Sequence, residues 1–270
     1  MLDRLEDCLR ALTDGGVALA FSGGADSALL LAVLSRLHER KPFALLALTM
    51  QSALQPARDV SQAAQFAQAF GVPHKILTFD PLTLEAVRFN RADRCYHCKQ
   101  NVFSLFRKEA DGAGLKHLLD GTNADDLTVY RPGRKALREA GVISPLARLG
   151  LTKADVRALS EKLGLPSAQK PSSPCLATRF PYDTPLDAET VRRAGLAEQA
   201  VRDMFPDIRD VRLRVHGALA RLEVSARDVP AVAAKAQSVA ALLKRSGFEF
   251  VTLDLEGFRS GCFDGNLKND

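Results

Sequence analysis

The chain has no tryptophan and only three tyrosines in 270 residues, which argues against a surface that stacks successive bases on aromatic rings, and so against a nucleic-acid partner. It also lacks any apolar run approaching the roughly 20 residues needed to cross a bilayer. The opening segment, MLDRLEDCLRALTDGG, reads as an acid-bearing amphipathic helix. It has none of the basic start, apolar stretch and small-residue cleavage site of a secretory signal, and a cytoplasmic protein with no membrane partner is expected. Charge of one sign is missing too. The net charge of +5 is spread over 37 Lys and Arg interleaved with 32 Asp and Glu, densest at 131–138 and 209–214, a balance that suits an anionic small molecule such as a nucleotide. In a reducing compartment the five cysteines are expected as thiols, cluster ligands or catalytic groups and not as structural disulfides.

Apolar runs alternate with helical patterns through the first half: Val17–Phe21, Phe43–Met50, Lys75–Phe79, His117–Leu119 and Val142–Ile143 read as buried strands with helices between them. Such alternation predicts an α/β fold, a doubly wound parallel sheet with helices on both faces. Thr152 is placed to N-cap a helix over LTKADVRALSEKLGL, with Gly164 near its end. From Pro166 to Pro185 the chain becomes rich in Pro and Ser, a loop of about twenty residues, long enough to expect a function for it. Beyond it a helix at 188–204, hairpin strands at 211–215 and 220–224, a helix at 229–245 and a closing strand at 249–255 make a smaller α+β domain. The expected division is thus 1–165, an active-site loop at 166–187, and 188–270, the last for substrate binding and oligomerisation.

Ser22-Gly23-Gly24-Ala25-Asp26-Ser27 follows the first strand and opens a helix. Two glycines let backbone N–H groups approach phosphate oxygens, the helix dipole adds positive potential, and the hydroxyls of Ser22 and Ser27 add donors. The GK[ST] ending of a Walker loop is absent, so no loop lysine pulls on a γ-phosphate. A cradle for a leaving pyrophosphate implies attack at the α-phosphorus of ATP. Asp26 with Asp125 or Asp126 are the oxygen ligands expected for Mg2+. Gly121, after the fourth strand, lies where doubly wound folds meet nucleotide. Met50, after the second strand, is an adenine contact or a core residue.

Cys95-Tyr96-His97-Cys98 begins a helical pattern, and Cys175 lies in the Pro-rich loop. Three thiolates can hold an iron–sulfur cluster while leaving one iron without a protein ligand. Sulfur-carrier or exchange thiols and a zinc site are the alternatives, although His97 inside the pair is poorly directed as a fourth zinc ligand. Cys8 and Cys262 stand apart near the ends.

SGGADS after the first strand, GTNADD at Gly121–Asp126 and ISPL at Ile143–Leu146 resemble the PP-loop ATP pyrophosphatases, the adenine nucleotide alpha-hydrolase-like group, in its sulfur-handling branch. RCYHCK at 94–99, KPSSPCLATR at 170–179 and TLDLEGFRSG at 252–261 narrow the resemblance, from end to end, to LarE-type sulfur transferases, which make the nickel-pincer nucleotide cofactor of lactate racemase. The resemblance implies adenylation of a carboxylate on pyridinium-3,5-dicarboxylate mononucleotide, then replacement of AMP by sulfur. It implies that members with one Cys in the loop surrender that sulfur, whereas members with three carry a four-iron four-sulfur cluster; Cys95, Cys98 and Cys175 match the second pattern. A sulfide donor and a ring-like homo-oligomer, a hexamer, are implied as well.

Arg212 and Arg214 alternate on one strand and point to one face, where two guanidiniums can clamp a monoester phosphate; the resemblance puts the substrate phosphate there. Arg179 and Lys170, both within the loop motif, are candidates to act on the acyl-adenylate with Cys175 and Asp26. Glu198, Glu223 and Asp228 align with acidic positions near the family's substrate site, though acids of this kind are commonly just solvated. The rival reading is a tRNA thiolase, which shares the ATP loop and activation logic.

Overall fold

The computed structural model describes residues 1–128, 132–171, 173–259 and 261–263. Arg131 of the first basic stretch, Ser172 of the Pro-rich motif and Ser260 of the closing motif therefore lie outside the described residues. In chain order the first elements are α1 (Leu2–Arg10), β1 (Val17–Ala20), α2 (Ala25–Arg40), β2 (Leu45–Gln51), α3 (Ala57–Ala69) and β3 (His74–Thr78). A single turn, α4 (Glu85–Arg88), precedes the long α5 (Arg94–Gly112), β4 (His117–Leu119), α6 (Gly133–Glu139), α7 (Pro145–Arg148) and α8 (Lys153–Lys162). The rest comprises α9 (Ala188–Met204), β5 (Val211–His216), β6 (Leu219–Val224), α10 (Val229–Ala234), α11 (Ala236–Arg245) and β7 (Phe250–Leu253).

Two compact units emerge. The first holds Met1–Ser52, Ala57–Asp80 and Cys95–Ser173; the second holds Ala53–Pro56, Pro81–Arg94 and the chain from Pro174 onward. The second unit thus borrows two short segments from the N-terminal half, which no change in composition announces.

In the first unit the sheet is parallel, in the order β3-β2-β1-β4. Val17 faces Leu45 on one side and His117 on the other. The chain winds outward from β1 through β2 to β3, then returns to β4 on the opposite flank. The order therefore reverses between β1 and β4, and the crevice beyond their carboxyl ends is where such sheets bind ligands. β1 is almost wholly buried, as a central strand covered on both faces must be. Leu29, Leu30, Leu31 and Leu34 of α2 join Leu5, Leu9, Leu146 and Val156 in one core, whereas Ala18, Leu48, Phe103, Phe106 and Leu118 pack in another.

The strand expected at Val142–Ile143 is only an isolated parallel bridge, Leu119 to Ile143. Its two residues are hemmed between the end of α6 and Pro145, leaving no length for a ladder. Thr152 caps α8 in a full capping box, its side chain accepting from Asp155 N–H while Asp155 accepts from Thr152 N–H at 2.9 Å. Thr152→Ala is expected to cost about 1 kcal/mol, read as a lowered melting temperature.

In the second unit β5 and β6 form an antiparallel hairpin, and β7 joins β6 in parallel, Leu219 opposite Phe250. α9 covers β5, N-capped by Asp187, which accepts from Thr190 N–H at 2.8 Å. The helix expected over 229–245 is two helices, α10 and α11. The break is at Lys235, whose N–H turns to Val232 O in a tight three-residue step and whose ammonium lies 5.1 Å from the Phe205 ring centre.

Candidate functional site

Within the first unit, Ser22–Ser27 turns sharply from the end of β1 into α2. Gly23 has φ +67°, a conformation open to glycine at little cost, and a side chain there would come 3.2 Å from Ala63 Cα. The loop is tied internally by hydroxyls: Ser22 and Ser27 Oγ are 3.2 Å apart, and Ser27 Oγ donates to Gly24 O at 3.2 Å. Gly24 is the N-cap of α2 without a side-chain cap, so the first N–H groups of that helix carry no side-chain acceptor from it. Beneath the loop, Thr49 Oγ1 donates to Phe21 O at 2.5 Å and lies 2.7 Å from His74 Nε2. Burial pushes His74 below its ordinary pKa.

Gly121 comes from the end of β4 and all but touches this loop. A Cβ on it would be 2.9 Å from Ser27 N and 3.1 Å from Asp26 Cβ, closer than folded chains tolerate. The next residues add the polar frame. Asn123 Nδ2 donates to Asp26 Oδ1 at 3.0 Å. Buried Asp120 accepts from Ser144 Oγ at 2.5 Å and from Thr122 Oγ1. Asp125 Oδ2 accepts the Lys153 N–H at 2.9 Å, and Asp126 Oδ2 accepts the Asn123 N–H at 3.1 Å.

Two lysines absent from the loop itself reach it. Lys153 Nζ lies 2.5 Å from Asp26 Oδ2. Lys170 Nζ donates to Gly23 O at 3.1 Å and lies 3.5 Å from Asp59 Oδ1. Ser173 Oγ donates to Asp59 Oδ2 at 2.5 Å, so Asp59 fastens the start of the Pro-rich stretch to this site. Lys153, Asn123 and Asp59 were missed by sequence reasoning. LTKADV announced a helix start, but nothing local marks the lysine as partner of an aspartate 127 positions away. Met50 is buried in the core beside Leu48.

Cys95 and Cys98 sit near the start of α5, three residues apart and hence on one face. Cys95 and Cys175 are exposed and Cys98 is half-buried. Among the described residues no three His, Cys, Asp or Glu side chains are gathered as a metal site would gather them. In donor chemistry the thiols fit a thiolate-bound cluster: soft ligands, two of them one turn apart at an accessible helix start.

The second unit contains a charged network inside its core. Arg179, 1% exposed, grips Glu198 with two parallel bonds of 2.7 and 2.8 Å. Glu198 also accepts from Leu213 N–H at 2.9 Å and from Arg202 Nη2 at 3.2 Å. Arg214 pairs with Glu223 at 2.9 Å and donates to Thr178 O at 2.7 Å, and Arg221 pairs with both Glu223 and Asp254. Glu198 and Glu223 are thus buried and paired, not solvated as acids commonly are. Asp228 is half-buried, beside Arg227. Burial works to raise Glu198, but the hydrogen bond and charge of Arg179, the Leu213 N–H and the Arg212 charge outweigh it and hold its carboxyl below the ordinary range. Arg212 lies over the Phe258 ring. Burial, then the neighbouring Arg179 cation, pushes its pKa down to about 10. It remains a cation at neutral pH, in a setting that a bound anion would relieve.

This strand–loop–helix at a sheet's reversal point defines a PP-loop ATP-binding protein, and the family model described as the PP-loop domain matches residues 2–130. The pyridinium-3,5-bisthiocarboxylic acid mononucleotide synthase of Lactiplantibacillus plantarum is 34% identical over 252 residues, 93% of this chain and 90% of that protein. An uncharacterised Synechocystis protein is 34% identical over 245 residues, 90% of each chain. A tRNA-specific 2-thiouridylase of Xanthobacter autotrophicus is 27% identical over 58% of this chain and 49% of its own length. The chain belongs to the LarE-type sulfur transferases of the PP-loop superfamily, enzymes that use ATP to transfer sulfur. No helix among the described residues is long and apolar enough to cross a membrane.

Proposed function

We propose that the protein adenylates a carboxylate of pyridinium-3,5-dicarboxylate mononucleotide and replaces the AMP by sulfur, giving the thiocarboxylate of the nickel-pincer precursor. The observation that carries this is the loop Ser22–Ser27 with Gly121 pressed against it, a phosphate cradle without a Walker lysine. A substrate carboxylate oxygen attacks the α-phosphorus, the bond to the β-phosphate breaks, and pyrophosphate leaves. The mixed anhydride now has AMP as a competent leaving group. Sulfur attacks its carbonyl carbon, and the C–O bond to AMP breaks. Asp26, with Asp125 or Asp126, would carry the Mg2+ that accompanies the triphosphate. Lys170, bonded to Gly23 O, holds the loop from outside. Arg212 and Arg214, two buried guanidiniums on one face of β5, take the substrate phosphate. Arg179 is held by Glu198, so its part is to shape the residues around Cys175 and Thr178.

The thiolates of Cys95, Cys98 and Cys175 would hold a [4Fe-4S] cluster. When bound, it supplies one iron without a protein ligand, the place for a transferable sulfide. Anaerobically purified protein is expected to contain iron and sulfide, and Cys175 to keep its mass after turnover. Protein without iron whose Cys175 has lost the elements of hydrogen sulfide would show that residue to be the sacrificial donor instead. Arg214→Ala is expected to raise the KM for the dicarboxylate nucleotide about 10-fold or more, the worth of a charge-assisted contact, while the KM for ATP stays unchanged. Pyrophosphate release driven by tRNA and not by the pyridinium nucleotide would overturn the substrate assignment in favour of a tRNA thiolase. A homo-oligomer, in the form of a hexamer, a sulfide donor and a cytoplasmic location of the protein complete the proposal.

A further inference from the structure

We infer that Asn90 is a positioning residue for sulfur delivery: its side-chain amide fixes the turn that carries Cys175, so that the thiol is presented from a rigid base. The inference rests on the sulfur-transfer reading above and deepens it, and it holds whether Cys175 ligates a cluster or gives up its own sulfur. Both residues belong to the second unit, Asn90 through the borrowed segment Pro81–Arg94. Asn90 is 0% exposed and has φ +50°, a left-handed conformation that Asn tolerates better than most residues. From there Nδ2 donates to Pro181 O at 2.7 Å and to Phe180 O at 3.1 Å, with Ala177 O at 3.4 Å. Reversing the amide would set Oδ1 against three carbonyl oxygens, so the chemistry of the site fixes its orientation.

What Asn90 grips is the backbone that leaves Cys175. That residue caps the short turn Leu176–Arg179, and its carbonyl accepts from Thr178 N–H at 3.0 Å and from Thr178 Oγ1 at 2.7 Å. Leu176 N–H donates to Leu54 O at 2.8 Å, in the other borrowed segment. Arg214 donates to Thr178 O at 2.7 Å. The backbone is therefore bonded at Leu176, Ala177, Thr178, Phe180 and Pro181, while Cys175 lies exposed. Sulfur must meet a carbonyl carbon along a narrow approach, and a displacement of about 1 Å at a reacting centre costs about 100-fold in rate. The borrowed segments thereby gain a purpose as the wall against which the Cys175 turn is set. Arg214 keeps its pairing with Glu223 at 2.9 Å if the turn loosens, so binding of the substrate phosphate is insulated from the loss.

First-turnover kinetics and hydrogen–deuterium exchange on the full chain test this. Asn90→Gly keeps the left-handed backbone without strain and removes both donors. It is expected to lower thiocarboxylate formation about 10- to 100-fold, with pyrophosphate release within about threefold of wild type, the split expected when only one step is touched. Amide exchange at 176–180 should quicken about 10-fold or more, the yield of one or two lost hydrogen bonds, while exchange in β5 and β6 stays unchanged. Asn90→Asp fills the same volume but turns a carboxylate on the three carbonyls, and should be impaired at least as much as Asn90→Gly. Asn90→Ser, which keeps one donor on a shorter arm, replaces whichever of the two fails to fold, with an intermediate loss expected. Wild-type thiocarboxylate formation by Asn90→Gly, equal loss of both steps, a selective loss with wild-type exchange at 176–180, or an aspartate variant better than the glycine one each overturns the inference while leaving sulfur transfer standing. Wild-type protein that releases pyrophosphate but forms no thiocarboxylate overturns the sulfur-transfer reading and the role of Asn90 together.

Discussion

Replacing Gly23 with valine is expected to lower ATP-dependent pyrophosphate release by at least about 100-fold, the scale of loss that an ångström of misplacement brings at a reacting centre. Two independent strains act at that residue. Its φ of +67° is a left-handed conformation that costs a β-branched residue the most. Its added Cβ would also lie 3.2 Å from both Ala63 Cα and Cβ and 3.3 Å from Ala63 N. Those are mainly backbone atoms in the middle of α3, which cannot swing aside as a flexible side chain would. The loop must yield, and with it the Ser22–Ser27 hydroxyl contact that sets where phosphate oxygens rest. Because the strain is confined to a turn, most of the core of that unit should survive. A melting temperature within a few degrees of wild type beside a collapsed rate is the expected pair of results. Wild-type turnover by Gly23→Val would remove the loop from the mechanism.

What could be read in the sequence was what local chemistry encodes. SGGADS after an apolar run required a turn of this kind, and Thr152 ahead of a helical pattern marked an N-cap, which the structure completes as a capping box with Asp155. Each is decided within six residues. The hairpin strands expected at 211–215 and 220–224 were legible for the same reason, and they pair as read. Long-range pairings were not. Lys153 looked like any surface lysine at a helix start until the fold brought it to Asp26. Glu198 looked like any helix acid until Arg179 and the Leu213 N–H closed around it. Burial is a property of the assembled unit, and no spacing rule distinguishes an acid that will be enclosed from one that will be wet. The bridge at Ile143 and the break at Lys235 show the same limit from the other side, since composition favoured regular structure in both places and neighbouring elements decided otherwise.

Glu198→Ala should show how much the second unit depends on that enclosure, with an expected loss of about 3–5 kcal/mol, as for other buried ion pairs deprived of one partner. Arg179 would keep its charge with no carboxylate across its fork, and Leu213 N–H would lose its acceptor. Both costs fall where the chain leads from Cys175 into β5, so loss of sulfur transfer should accompany loss of stability. The wild-type pH profile carries the same information. The Glu198 carboxyl is held below its ordinary value of 4.5, so its contribution is fully present above that pH and fades as pH falls through the lower folded value, where the unfolded chain binds the proton first. Unfolding of the wild type should therefore steepen below about pH 4.5, whereas Glu198→Ala should lose part of that acid limb; the expectation follows from proton linkage alone. Glu198→Gln, which keeps the acceptor for Leu213 N–H but not the charge, should fall between the two. A Glu198→Ala protein as stable as wild type, with an unchanged acid limb, would mean that the Arg179 guanidinium finds another anion when its own is removed. Added inorganic phosphate would then be the ligand to try first, since Arg212 and Arg214 of the same network are assigned to the substrate phosphate.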